Sequence, residues 1–364
     1  MTIVFEKRKS TSVPALVLVP LISFIVSLVL TAILLLVFGA DPLKTFGAMA
    51  KGAFGSIHGF SETLVKAIPL MLTGLGVAIA FRLKFWNIGA EGQLTLGGVA
   101  AAGVALFLEK AFPGRSLLFA AILGGVIAGA LWAGIPALLK TALKVDETLV
   151  TLMMNYIAIL YSEFLYYGPW RDPKGYGFPG SRIFSEAAWL PRIFGRAHAG
   201  IWAGLALAAI LWVVFKRTRW GFELQIIGAS QKAARYQGIS VERNIILAVM
   251  LSGALCGLAG SFEVLGISHR LQQGLSIGYG YTAIIVAWMS QLNPLAVPFV
   301  AIALAGLATG GDQVQMVMGL PAAMGIVMQG LILFPMLAGS LFTEYRIRTV
   351  RAVSKTACVE HSKE

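Results

Sequence analysis

The feature that most constrains this chain is a series of long apolar runs with hardly a charge inside them. Of its 364 residues, 57% are hydrophobic and only 13% are charged, too few charges to cover a soluble domain of this size. About 20 apolar residues at ~1.5 Å rise cross a ~30 Å hydrocarbon core as an α-helix. Barrel strands need only about 10 residues, so runs this long and continuous exclude a barrel. The fold class is therefore an all-α polytopic membrane protein.

The 41 glycines sit inside the apolar runs, where small residues let helices approach closely. The formal charge of +12 does not indicate nucleic acid, because the basic residues cluster beside span ends, where topology and lipid headgroups explain them. Cys256 lies in a span and Cys358 in the basic tail, so they are not expected to pair. The run from Pro14 to Phe38 follows Lys7-Arg8-Lys9 and lacks a small-x-small cleavage site. It reads as a retained first span.

Spans are expected near 14–39, 64–81, 92–109, 117–139, 148–168, 200–215, 245–266, 279–291, 294–311 and 321–341. About ten transmembrane helices put both ends on one side. Lys7, Arg8, Lys9, Arg82, Lys84, Lys140, Lys144, Lys216, Arg217, Arg219, Lys232, Arg235, Arg243, Arg346, Arg348, Arg351 and Lys355 fall on that side, which the positive-inside rule makes cytoplasmic. The chain then divides into a cytoplasmic N-terminus (1–13), a membrane domain (14–341) and a cytoplasmic basic tail (342–364). Within the membrane domain lie an extracytoplasmic loop (169–199) and a cytoplasmic segment (216–244). Spans two to five start outside and seven to ten inside, giving two inverted-topology halves of the kind transporters use.

Polar groups inside such runs are candidates for the solute path. Asn87, Glu91 and Gln93 lie between spans two and three among Gly89 and Gly92. Irregular backbone at membrane depth must be buried in protein or line a cavity. Glu91 thus reads as a functional carboxylate, as a structural acceptor for exposed N–H groups at a broken helix end, or as both. Asp146 and Glu147 suit a helix start. Asn155, two turns into that helix, bonds a neighbour or touches solute. Trp86 and Trp288 either stack on a flat ring or anchor at the interface.

The segment 216–244 contains a short helix with punctuated ends. Ser230 is placed to cap its start and Gly238 to close it in the left-handed conformation. The segment is either a solvated connector or a docking element. His58, His198, His269 and His361 show no metal-ligand spacing. A P-loop, nucleophile elbow, zincin motif and dinucleotide fingerprint are all missing. The chain is not expected to be an enzyme, and no metal or cofactor is expected.

Four pieces together carry a family resemblance: Phe85-Trp-Asn-Ile-Gly-Ala-Glu-Gly-Gln93, Glu147-Thr-Leu-Val-Thr-Leu-Met-Met-Asn-Tyr156, Gly228-Ala-Ser-Gln-Lys-Ala-Ala-Arg-Tyr-Gln-Gly-Ile239 and Leu251-Ser-Gly-Ala-Leu-Cys-Gly-Leu-Ala-Gly260. The chain resembles permease subunits of bacterial ABC importers in the simple-sugar and nucleoside group, nucleoside-type branch. The resemblance implies a type II ABC importer-like permease in the cytoplasmic membrane. It also implies cytoplasmic ABC ATPase subunits, a second homologous permease subunit and an extracytoplasmic substrate-binding protein as partners. Ser230 to Gln237 would sit in a groove of the ATPase, with Lys232 and Arg235 facing acidic groups and Tyr236 and Ile239 anchoring. Two departures stand out: Trp86 splits the family's Phe-Asn, and Gly280 stands where relatives carry an acidic residue. The competing class is an ion-coupled secondary transporter of a small polar solute, which would use Glu91 to bind a proton or cation.

Overall fold

In the computed structural model, residues 2–7, 13–319 and 322–350 are described. They fall into two compact units, one drawn from residues 1–45 and 326–364 and one from 46–325. The helices are α1 (Val13–Val37), α2 (Pro42–Phe54), α3 (Ile57–Arg82), α4 (Ala90–Phe107), α5 (Ser116–Leu143), α6 (Glu147–Tyr167) and α7 (Gly200–Arg217). They continue with α8 (Arg219–Ala229), α9 (Gln231–Tyr236), α10 (Val241–Glu263), α11 (Tyr279–Met289), α12 (Val297–Met318) and α13 (Ala322–Glu344). The strands are β1 (Thr2–Lys7), β2 (Arg192–Phe194), β3 (Ala197–His198) and β4 (Tyr345–Val350).

In the smaller unit β1 pairs antiparallel with β4, from Thr2 opposite Val350 to Lys7 opposite Tyr345. Tyr345 to Arg348 of β4 alternate apolar and polar residues, a period-2 pattern that suits a strand rather than a helix, while β1 carries Ile3, Val4 and Phe5 in succession. This ribbon and the β2–β3 hairpin are small additions to an otherwise all-α membrane protein. Arg8, Lys9, Arg351, Lys355, Cys358 and His361 lie outside the described residues.

Among the described residues, seven helices are long and apolar enough to cross a membrane: α3, α4, α5, α6, α7, α10 with its continuation to Ser268, and α12. An eighth is present if Leu21–Val37 and Pro42–Phe54 form one broken span. The chain is thus a polytopic helical membrane protein with seven to eight candidate spans, fewer than the ten expected. The span expected at 279–291 is the clearest departure. Its helix α11 has 11 residues, about 16 Å of rise, half of a hydrocarbon core. Helix α2 was not anticipated at all.

The core of the larger unit is α3, whose central window is 89% buried, against 22% for α7. Helix α10 packs along α5, α4 and α3, while α3 also meets α12 and α11. Glycines permit this. A Cβ on Gly257 of α10 would collide with the Gly125 carbonyl of α5, and one on Gly97 of α4 would strike Gly257 itself. Backbones so close gain van der Waals contact along the whole crossing, the main attraction available between helices in lipid.

Residues 169–199 are more than a connector. The Ser181, Phe184 and Leu190 N–H groups donate to the carbonyls of Leu271, His269 and Leu265. Gly180 bridges Gln272, and the Trp189 ring stacks on His269 at 4.1 Å. The loop therefore folds onto the end of α10, where residues 264–268 form a π-turn, and onto the non-helical strap that follows. Nothing in the periodicity of a loop signals such long-range pairing.

Candidate functional site

The polar residues expected between spans two and three are brought together, and they close on one another. Asn87 and Gln93 exchange side-chain hydrogen bonds at 3.0 and 3.1 Å. The Asn87 amide also donates to Ser252 Oγ (3.1 Å), while its oxygen accepts from the Gly89 N–H (3.1 Å). Asn155, on α6, accepts from the Gly92 N–H at 2.8 Å and donates to the Ile88 carbonyl at 2.8 Å. It therefore caps α4 from another helix, since Gly92 carries one of the orphan donors of that helix's first turn. Its amide also reaches Tyr281 Oη on α11 (3.3 Å).

Glu91 is fully buried. One carboxylate oxygen accepts from Ser276 Oγ (2.6 Å) and the Gly278 N–H (2.8 Å), and the other from the Gly280 N–H (2.6 Å). The carboxylate sits in the first turn of α4 and caps the start of α11, so two positive helix ends share one negative charge. Of the two readings of Glu91, the geometry matches the acceptor at a broken helix end. The broken end is α11's, far away in sequence. An ion-coupled mechanism would need a proton or cation to reach this fully enclosed carboxylate.

Gly280 explains itself here. A Cβ at that position would meet the Glu91 backbone and the Ala90 carbonyl carbon, so no side chain has room there. Helix α11 can approach α4 this closely only without a side chain at the contact.

Trp86 and Trp288 lie at the C-terminal end of α11 and are part-exposed, at 46% and 37%. Their ring centroids are 6.1 Å apart at 34°, and Phe81 packs against both. A flat ring held between them needs about 7 Å, twice an ordinary stacking distance, so in this conformation they pack on each other and do not form an open clamp.

The segment 216–244 holds α8 and α9. Ser230 Oγ accepts from the Ala233 N–H at 3.3 Å, and Gly238 has φ +75°, as the punctuation predicts. Ala234 is buried, Ile239 half-buried, and Lys232, Gly238 and Tyr236 exposed, Tyr236 at 93%. Arg235 does not wait for an outside acid: it pairs with Glu242 at the start of α10 (2.6 Å). The segment rests on span ends. Gly228 lies against the Arg82 carbonyl of α3, and the Arg82 guanidinium stacks on Phe215 of α7 at 4.0 Å and donates to the Leu292 carbonyl at 2.8 Å. Nearby, Lys140 of α5 pairs with Glu147 of α6 at 2.5 Å. Asp146 caps α6, accepting from the N–H groups of Thr148 and Leu149. The bond from Leu149 is the main reason its carboxyl lies below the usual range.

Sequence reasoning missed Ser252, Ser276 and Gly278, because each is a partner only through contacts distant in the chain. It also missed His198. That ring is buried, accepts from the Gly200 N–H at Nδ1 (3.2 Å) and leaves Nε2 without a partner. Burial, with nearby His269 adding to it, pushes its pKa down to about 4. Among the described residues, no three of His, Cys, Asp and Glu converge as metal ligands.

The larger unit is thus a helical membrane bundle with a polar knot closed on itself. The family described as "branched-chain amino acid transport system / permease component" matches residues 59–337, and the chain belongs to it. The chain is 33% identical to the glucose ABC transporter permease protein TsgB13 of Haloferax volcanii, over 90% of this chain and 89% of that one. It is 35% identical to the guanosine ABC transporter permease protein NupP of Bacillus subtilis, over 87% and 92% of the two chains. With the nucleoside ABC transporter permease protein NupB of Lactococcus lactis subsp. cremoris the figures are 29%, 81% and 83%. The protein is an ABC transporter permease subunit, a multi-pass translocation component and not an enzyme. The ion-coupled reading of the sequence falls with that assignment.

Proposed function

We propose that this chain forms half of the membrane path of an ATP-driven importer for a nucleoside- or simple-sugar-like solute. The solute class rests on the names of its relatives. The partners in this reading are cytoplasmic ABC ATPase subunits, a second, homologous permease and an extracytoplasmic binding protein. Both termini face the cytoplasm. Ten crossings in two inverted halves are reached by counting α13 and by taking the strap 269–278 and half-span α11 together as one. Asn87, Gln93 and Asn155 act beside the path by holding Glu91 and α11 in place, and Trp288 lies at its cytoplasmic end.

One observation carries the coupling role: α9 is short, capped and turned outward, with Tyr236 93% exposed, yet its segment bears directly on the end of α3. A large exposed aromatic on a rigid support is the usual form of an interface anchor. ATPase closure would push on α9, and through Gly228 and the Arg235–Glu242 pair tilt α3 and α10. Tyr236→Asp with Lys232→Glu should leave the assembled importer hydrolysing ATP at its basal rate while solute uptake falls at least tenfold. Uptake at the wild-type level in reconstituted vesicles would rule the coupling role out.

A further inference from the structure

Between the π-turn at 264–268, the strap after it and the loop over them lies a cavity of about 450 Å³, within the range of small-molecule sites. We propose that this cavity is a binding site for a neutral, hydroxyl-rich ring, seated at the extracytoplasmic end of the path. The proposal rests on the importer reading above for its direction, and on the geometry for its chemistry.

Four observations carry it. Glu263 lines the cavity, and its buried Oε2 has no hydrogen-bond partner. A buried carboxylate oxygen left unmatched is costly, so the fold by itself leaves this carboxyl unsatisfied beside the cavity. Gln272 and Gln273 add amides from the strap, and Trp189 contributes an aromatic surface. Arg196 is paired with Glu62 at 3.0 Å and Arg270 donates to Gln272, so both cations lining the cavity are engaged within the protein, and the amides beside them suit a neutral ligand better than an anion. Finally, the π-turn is a local break of the kind found at functional sites, and the strap beyond it is irregular backbone bordered by polar space.

The strap is also the wall of a second cavity of about 240 Å³, lined on its far side by Thr95, Ser162 and Glu163. There the buried Ser162 Oγ also lacks a partner. Ser276, on this wall, is the residue that bonds Glu91. The first cavity is thus one strap away from the capped start of α11.

The test is equilibrium dialysis of the assembled importer in lipid nanodiscs, without its binding protein, against radiolabelled guanosine and D-glucose and their monophosphates. At least one neutral probe should bind, its phosphate should bind at least tenfold more weakly, and Glu263→Gln should weaken the neutral probe about tenfold. Gln272→Ala is the second variant, should Glu263→Gln not assemble. The proposal fails if neither neutral probe binds above empty nanodiscs, if a phosphate binds tighter than its parent, or if both variants keep wild-type affinity. ATP-dependent uptake by the wild type, measured in parallel, separates the two claims. Binding that depends on Glu263 without uptake would overturn the importer reading alone. Uptake with binding indifferent to Glu263 would overturn the cavity alone.

Discussion

The knot around Glu91 and the segment around α9 are both polar interruptions of an apolar chain, yet they are built in opposite ways. In the knot, Asn87, Glu91, Gln93 and Asn155 use their polar atoms on each other, on Ser252 and Ser276, and on the backbone at two helix starts. Around α9, Lys232 and Tyr236 remain exposed and only Arg235 is satisfied internally. The difference follows from the surroundings. A polar group at membrane depth finds no water and must be satisfied within the protein, so it fixes geometry. One at an aqueous face can stay open, and what stays open can recognise a partner.

The sharpest way to break this contrast is at Gly280. Gly280→Val drives a side chain into the Glu91 backbone and separates α11 from its cap. Overpacking against backbone should exceed the usual ~3 kcal/mol, seen as loss of the monodisperse peak in size-exclusion chromatography. Next comes Glu91→Ala, which strands three donors, one buried and two half-buried. Roughly 4 kcal/mol of destabilisation is expected, measured by denaturant titration in detergent, with Glu91→Gln milder because one oxygen still accepts. If Glu91→Ala unfolded no more readily than the wild type, the knot would not be structural.

His198 falls between the two regions, closed at Nδ1 and open at Nε2. Its folded pKa, lowered to about 4, lies beneath its unfolded value of about 6.5. The unfolded state therefore binds more protons between those limits, and stability falls as pH drops through that window. Roughly 2 kcal/mol should be lost between pH 7 and pH 5, readable as a fall in Tm, and His198→Asn should flatten that slope. His269 also has its pKa lowered, first by burial, and leaves a smaller residue of the same sign.

The smallest stability effect is expected at α9. Tyr236→Ala should change Tm by no more than ~0.5 kcal/mol equivalent, since the ring is 93% exposed, while uptake falls. A large loss of stability there would mean that the segment is part of the packed core, and the contrast with the knot would disappear.

Much of this was legible in the sequence. The apolar runs located the helices, because a span must be long and uninterrupted. Ser230 and Gly238 bounded α9 correctly, because caps act within one turn. Asn87, Glu91, Gln93 and Asn155 stood out because polar groups at membrane depth are rare. Their partners were not legible, since Glu91 meets Gly278 and Gly280 across a span of chain that no local period connects. The same holds for the Arg235–Glu242 pair at the aqueous face. It holds too for the loop 169–199, whose hydrogen bonds go to residues 265–272.

By itself the sequence determined that this chain lives in a membrane, where most of its long apolar helices run and how α9 is capped, because hydropathy and capping act locally. Only the tertiary structure decided that α11 is half a span, that a buried glutamate holds its start, and that a loop and a strap enclose a polar cavity. Those outcomes depend on which unsatisfied donors and acceptors meet once the helices pack, and the identity of a hydrogen-bond partner is a property of the fold.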